Sequence, residues 1–151
     1  MESITWNDVN TIRERAFAES GMELLTIPPT MQTIGVSAFA SSTKLASLSY
    51  PNHKIEYAAT MFSGCMKLVT LIITGEGDMQ DYTATIQPWN PALAQITSDT
   101  INEKITSIGT YAFLGMTKLT LNEGLTSIHS NAFESYSIII SIDIPSTMTT
   151  I

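Results

Sequence analysis

The sequence holds one cysteine, Cys65, and two histidines, His53 and His129. One cysteine excludes an intrachain disulfide framework and a cysteine-based zinc site. Two histidines this far apart make no His-rich metal site, and no cofactor is implied. Charge is scarce as well: charged residues are 14% of the 151, against roughly 25% in an average soluble domain. The formal net charge is -7. The basic residues, Arg13, Arg15, Lys44, Lys54, Lys67, Lys104 and Lys118, are scattered along the chain. A phosphate-binding surface needs them clustered, so nucleic acid is excluded as a partner. No apolar run approaches the ~20 residues that cross a bilayer. The longest, Ile138-Ile139-Ile140 between serines, suits a strand, and membrane insertion is not expected. Met1-Glu2-Ser3-Ile4 shows neither a basic nor an apolar leader segment. No Asn-x-Ser/Thr acceptor occurs, so N-glycosylation is not expected.

Hydroxyls stand where charge is missing: Ser and Thr make up about a quarter of the chain. They fall into a repeat. An aromatic after a small or apolar residue recurs at Ala16-Phe17, Ala38-Phe39, Met61-Phe62, Ala112-Phe113 and Ala132-Phe133. The spacing is that of short solenoid units, with one doubled gap. The frame before each Phe returns as Gln32-Thr33-Ile34-Gly35, Thr106-Ser107-Ile108-Gly109 and Thr126-Ser127-Ile128-His129. After each Phe, apolar residues follow L-x-x-L-x-L: Leu45, Leu48, Tyr50; Leu68, Leu71, Ile73; Ile139, Ile142, Ile144; and Met22, Leu25, Ile27. Alternation over the last three positions predicts a strand. Pro28, Pro51 and Pro145 stop these strands, because proline cannot donate to a ladder. A second short extended segment and a turn carrying Ala-Phe complete each unit. In the doubled gap Trp89 takes the Phe place, Leu93 and Ile96 stand for the strand, and Ile105 and Ile108 close the unit. Gly75 to Tyr82 reads as an inserted loop.

The frame I-G-x-x-A-F-x-x-C-x-x-L-x-x-L-x-I-P is similar to the BspA-like leucine-rich repeat. Phe62-Ser63-Gly64-Cys65-Met66-Lys67-Leu68 carries its cysteine position, which is Ser42, Met116 or Tyr136 in other units. The expected architecture is an α/β, strand-rich solenoid. It forms a right-handed leucine-rich-repeat superhelix, with parallel strands on the concave face and short helical turns or extended segments on the convex face. Residues 1–151 read as one domain of about six units, with an irregular unit and inserted loop at 75–108. Both ends break within a unit, so a fragment is expected, and bare terminal ladders predict end-to-end self-association.

Nothing in the chain assembles catalysis. A nucleophile needs a base beside it, and Cys65, His53 and His129 occupy different positions in different units. Cys65 reads as a small core thiol. Glu76, Asp78 and Asp81 lack the spacing of a calcium loop and read as a solvated loop. No catalytic, cofactor-binding or metal residue is assigned, and no enzyme is expected.

Binding remains. Side chains alternate in a strand, so the residues flanking the fourth frame position point outward. These are Leu24 and Thr26, Ser47 and Ser49, Thr70 and Ile72, Gln95 and Thr97, Ser141 and Asp143. They form a candidate binding face that is mostly hydroxyl-bearing, and Ser and Thr also suit an exposed strand without any ligand. The resemblance implies a cell-surface or secreted adhesin whose protein partners are host-cell or matrix proteins such as fibronectin and fibrinogen. A rigid spacer or self-assembling stalk, and a glycan-binding module, are the alternatives.

Overall fold

The computed structural model describes residues 4–58, 60–90, 96–115, 120–134 and 144–151. Among the described residues the chain coils so that successive units lay strands on a four-stranded sheet and on the side opposite it. The four-stranded sheet has the order β2 (Leu24–Thr26), β4 (Ser47–Pro51), β6 (Thr70–Thr74), β8 (Ser98–Ile101). The other side carries two sheets. One is β1 (Thr11–Ile12), β3 (Thr33–Ile34), β5 (Glu56–Tyr57); the other is β7 (Gly77–Asp78), β9 (Ile105–Ile108), β10 (Ser127–Ile128). Every strand pair in these sheets is parallel. The chain is therefore a strand-rich parallel solenoid. No α-helix occurs among the described residues, so the second side is built of extended segments and turns.

Register follows the repeat. Leu25, Leu48 and Leu71 lie side by side, as do Tyr50, Ile73 and Ile101. All six are buried. Leu45, Leu68 and Ile96 form a third buried row at the frame's first position. A single unit leaves these chains in water; stacking removes them, at roughly 25 cal/mol per Å² of apolar surface.

The aromatic frame forms a column of rings. Phe17, Phe39 and Phe62 stack at 5.6 and 5.4 Å with planes within 15°. Trp89, Phe113 and Phe133 form a second stack at 6.0 and 6.3 Å. Trp89 thus fills the Phe place, as its sequence position implied. It also replaces a main-chain bond. In other units the Phe N–H donates to the carbonyl of the residue before the next ring: Phe17 to Ala38 (2.8 Å), Phe39 to Met61 (2.9 Å), Phe113 to Ala132 (3.0 Å). In the Trp89 unit the indole N–H donates to Ala112 O at 2.9 Å.

The turns around Phe17, Phe39 and Phe113 take a left-handed residue on both sides of the ring. Arg15 and Glu19 flank Phe17, and Ser37 and Ser41 flank Phe39. Tyr111 and Gly115 flank Phe113. The turn closes through i to i+3 bonds such as Ala40 N–H to Ser37 O, 3.0 Å.

Two expectations change. Ile96 is buried but precedes the strand, and Leu93 lies outside the described residues. The strand is Ser98–Ile101, so the frame reads Ile96-x-x-Asp99-x-Ile101, with Asp99 in a leucine place opposite Leu71. A carboxylate at that position hid the frame. Asp99 is nonetheless buried, and its Oδ2 accepts the Thr120 N–H at 3.2 Å. The insertion also starts later than the sequence suggested. Gly77 and Asp78 pair with β9, and Met79 is buried. Six residues separate Thr11 from Phe17, Thr33 from Phe39 and Ser107 from Phe113, but eleven separate Asp78, the partner of Ser107, from Trp89. The extra length falls between Met79 and Trp89.

Candidate functional site

The four-stranded sheet sets its outward side chains in two rows. Leu24, Ser47, Thr70 and Ser98 are register partners, and so are Thr26, Ser49, Ile72 and Thr100. Neighbouring strands stand about 4.8 Å apart, so each row is a line of closely spaced side chains. Thr26, Ser98 and Thr100 are exposed, while Leu24, Ser47, Thr70 and Ile72 are half-buried. Ser49, between Thr26 and Ile72, is 8% exposed. The eight positions carry no charge, and two of them are apolar.

Six of the ten residues expected on this face stand on it together: Leu24, Thr26, Ser47, Ser49, Thr70 and Ile72. Thr97 is exposed but lies just before β8, and its N–H donates to Val69 O at 3.0 Å. Ser98 and Thr100 take the outward places in that unit. The sequence signal that locates them is the Ile96-x-x-Asp99-x-Ile101 spacing once an acid is admitted in the leucine place. Gln95, Ser141 and Asp143 lie outside the described residues.

The chemically reactive side chains are engaged in holding turns together. Cys65 is 3% exposed, and its thiol donates to Phe39 O at 3.2 Å. One unit earlier Ser42 Oγ donates to Phe17 O at 3.1 Å. Cysteine and serine interchange at this position because each caps the ring carbonyl of the preceding turn. Burial raises the Cys65 thiol pKa above its ordinary value, against a smaller lowering from the Ser42 backbone. The thiol is therefore a poor nucleophile at neutral pH. His53 Nε2 sits 2.7 Å from Met31 O, and His129 Nδ1 sits 2.8 Å from Asp81 Oδ1. Two of the three loop acids are similarly occupied. Asp78 Oδ1 accepts the Thr106 hydroxyl at 2.8 Å, and Asp81 Oδ1 accepts the Thr110 N–H at 2.6 Å. The Thr110 N–H, with the His129 ring beside it, pulls the Asp81 pKa down to about 2. Among the described residues no three His, Cys, Asp or Glu side chains converge as a metal site, and no helix is long and apolar enough to cross a membrane.

Comparison with known proteins agrees with this architecture. A family model described as "BspA type Leucine rich repeat region" matches residues 1–83 and 92–151 in six copies. The unmatched stretch overlaps the insertion before and around Trp89. Among solved structures the chain is similar to a leucine-rich repeat protein from Bacteroides ovatus ATCC 8483, with a TM-score of 0.60 and 18% identity. That likeness is one of fold, and covers 95% of this chain and 37% of the other. A leucine rich cell surface protein from Faecalibacterium prausnitzii A2-165 matches at a TM-score of 0.39 and 16% identity, over 93% of this chain and 46% of the other. The chain thus spans less than half the length of either protein. No curated protein matches it.

Proposed function

The chain belongs to the BspA-type leucine-rich-repeat family, and from that premise we infer that it is a non-catalytic, protein-binding module of a cell-surface protein, mediating adhesion to host cells or matrix proteins. The observation that carries this reading is the paired outward rows on β2, β4, β6 and β8. They form one uncharged, hydroxyl-rich surface of two registered rows, presented by a ladder whose backbone is already paired. Such a surface is pre-ordered, so a partner does not have to order it on binding. Lateral hydroxyls offer donors and acceptors to a protein surface, while Leu24 and Ile72 supply apolar contact. Solenoids of this type present their partners with an extended face.

The experiment is a solid-phase assay on immobilised fibronectin and fibrinogen with the wild-type chain and Thr26→Glu/Thr100→Glu. Both threonines are exposed, so the double variant should keep its thermal transition. Saturable binding that falls at least tenfold in the variant supports the reading. Binding unchanged by the two charges moves the working face elsewhere. A chain that binds neither protein, while cells displaying it adhere normally, is a spacer.

A further inference from the structure

The second side of the coil contains an interrupted ladder. On that side the carbonyls at β1, β3 and β9 are taken by N–H groups of the next unit. Asn10 O and Ile12 O accept from Gln32 (2.7 Å) and Gly35 (2.8 Å). Gln32 O and Ile34 O accept from Glu56 (2.9 Å) and Ala58 (3.3 Å). Thr106 O and Ile108 O accept from Thr126 (2.8 Å) and His129 (2.9 Å). The register pairs Ile34 with Tyr57, so the carbonyls of Ile55 and Tyr57 hold the same place in β5. β5 pairs with no strand beyond β3, and no turn or loop N–H of the described residues donates to them. β5 is the last strand of its sheet and β7 begins another, although β4 and β6 remain paired on the far side. The side chain of Asn52 closes one end of the break, donating to Glu76 O and Asp78 O at 3.2 Å each.

Beside this edge lies an open groove of about 600 Å³. One wall is β5 with Lys54 and Tyr57; the other is the inserted segment, with Asp81, Tyr82 and Ile86. The Tyr57 hydroxyl donates across it to Ile86 O at 3.0 Å. Ile86 is 47% exposed, an apolar contact left in solvent. Glu56 and Asp81 outnumber Lys54 around it, in a chain of net charge -7.

We propose that this groove takes an extended, lysine-bearing peptide segment of another protein, which adds to β5 as a parallel strand and donates N–H groups to the carbonyls of Ile55 and Tyr57. Two main-chain acceptors two residues apart match the N–H repeat of an extended chain. A sugar offers no such repeat. Alternate side chains of the segment then face Tyr57, Tyr82 and Ile86, and its lysines meet Glu56 and Asp81. The site is separate from the four-stranded sheet face and does not depend on its being the adhesive surface.

The probe is a blocked seven-residue peptide of alternating valine and threonine with lysine at both ends, followed by amide NMR shifts of the whole chain. Saturable shifts confined to residues 54–58 and 80–86 are expected. A peptide N-methylated at alternate amides should bind at least tenfold more weakly. Ile86→Arg, at an exposed position, should weaken the unmodified peptide at least fivefold while leaving the remaining spectrum unchanged. The absence of shifts at millimolar peptide, equal binding of the N-methylated form, or unchanged binding by Ile86→Arg each overturns the proposal. So do shifts confined to the terminal strand β1, and the same shifts from cellohexaose when the peptide gives none.

Discussion

At the scale of single residues, the repeat fixes what a position must do before it fixes which residue does it. Cys65 and Ser42 share a donor role, so Cys65→Ser should change stability by less than ~0.5 kcal/mol, whereas Cys65→Ala leaves Phe39 O only the Ser42 N–H at 3.3 Å and should cost about 1 kcal/mol. Urea unfolding followed by fluorescence compares them. The same burial predicts slow reaction of Cys65 with a thiol reagent in the native state and complete reaction in urea; fast native labelling contradicts it. Gly109 is the tightest glycine to test. A Cβ there would lie 1.9 Å from Gln80 O, so Gly109→Ala should cost several kcal/mol or prevent folding. Gly21 has open space around its would-be Cβ, and Gly21→Ala should be nearly neutral. Asp81 gives a pH signature. Its folded pKa of about 2 lies below the ordinary carboxylate value. Its contribution is therefore complete above about pH 4 and is lost as the pH falls toward 2. The side chain is largely exposed, so the effect is small. A carboxyl titration by NMR near 4 contradicts the Thr110 and His129 contacts. The sequence revealed the core role of Cys65. It did not reveal its acceptor, because a bond to the preceding unit's carbonyl leaves no mark in local spacing.

At the scale of elements, the most informative unit is the irregular one. The ring column was legible from the Phe spacing, and Trp89 from its place in the doubled gap. Its hydrogen bond was not, since no periodicity distinguishes an indole that stacks from one that also replaces a main-chain donor. Trp89→Phe keeps a ring but leaves the buried Ala112 carbonyl without its donor. A loss of about 1–3 kcal/mol is expected, measured as a shift of the denaturation midpoint with unchanged slope. A loss indistinguishable from zero contradicts the bond. The strand of that unit was misplaced because the frame reads apolar residues, and Asp99 supplies the shape of the ladder without its hydrophobicity. The strand signal of β7 was hidden by Gly77 within it and Gly75 just before it, a pair that reads as loop until Gly77 and Asp78 pair with β9.

At the scale of the whole molecule, the scarcity of charge becomes positional. Hydroxyls fill six of the eight outward places of a parallel ladder whose inward places are leucine, isoleucine and ring, with Asp99 the exception. The architecture was legible because several copies obey one frame; the partner was not, because an uncharged hydroxyl surface is equally suited to water. Uncharged rows also set a kinetic expectation. Association through them should change little between 50 and 500 mM salt, since the rows themselves carry no charge to screen. The most direct measurement is hydrogen–deuterium exchange of the chain with and without saturating fibronectin or fibrinogen. The account predicts new protection in segments 24–26, 47–51, 70–74 and 98–101, with segment 127–128 unchanged. Protection that spares those four segments while binding is saturated would contradict it.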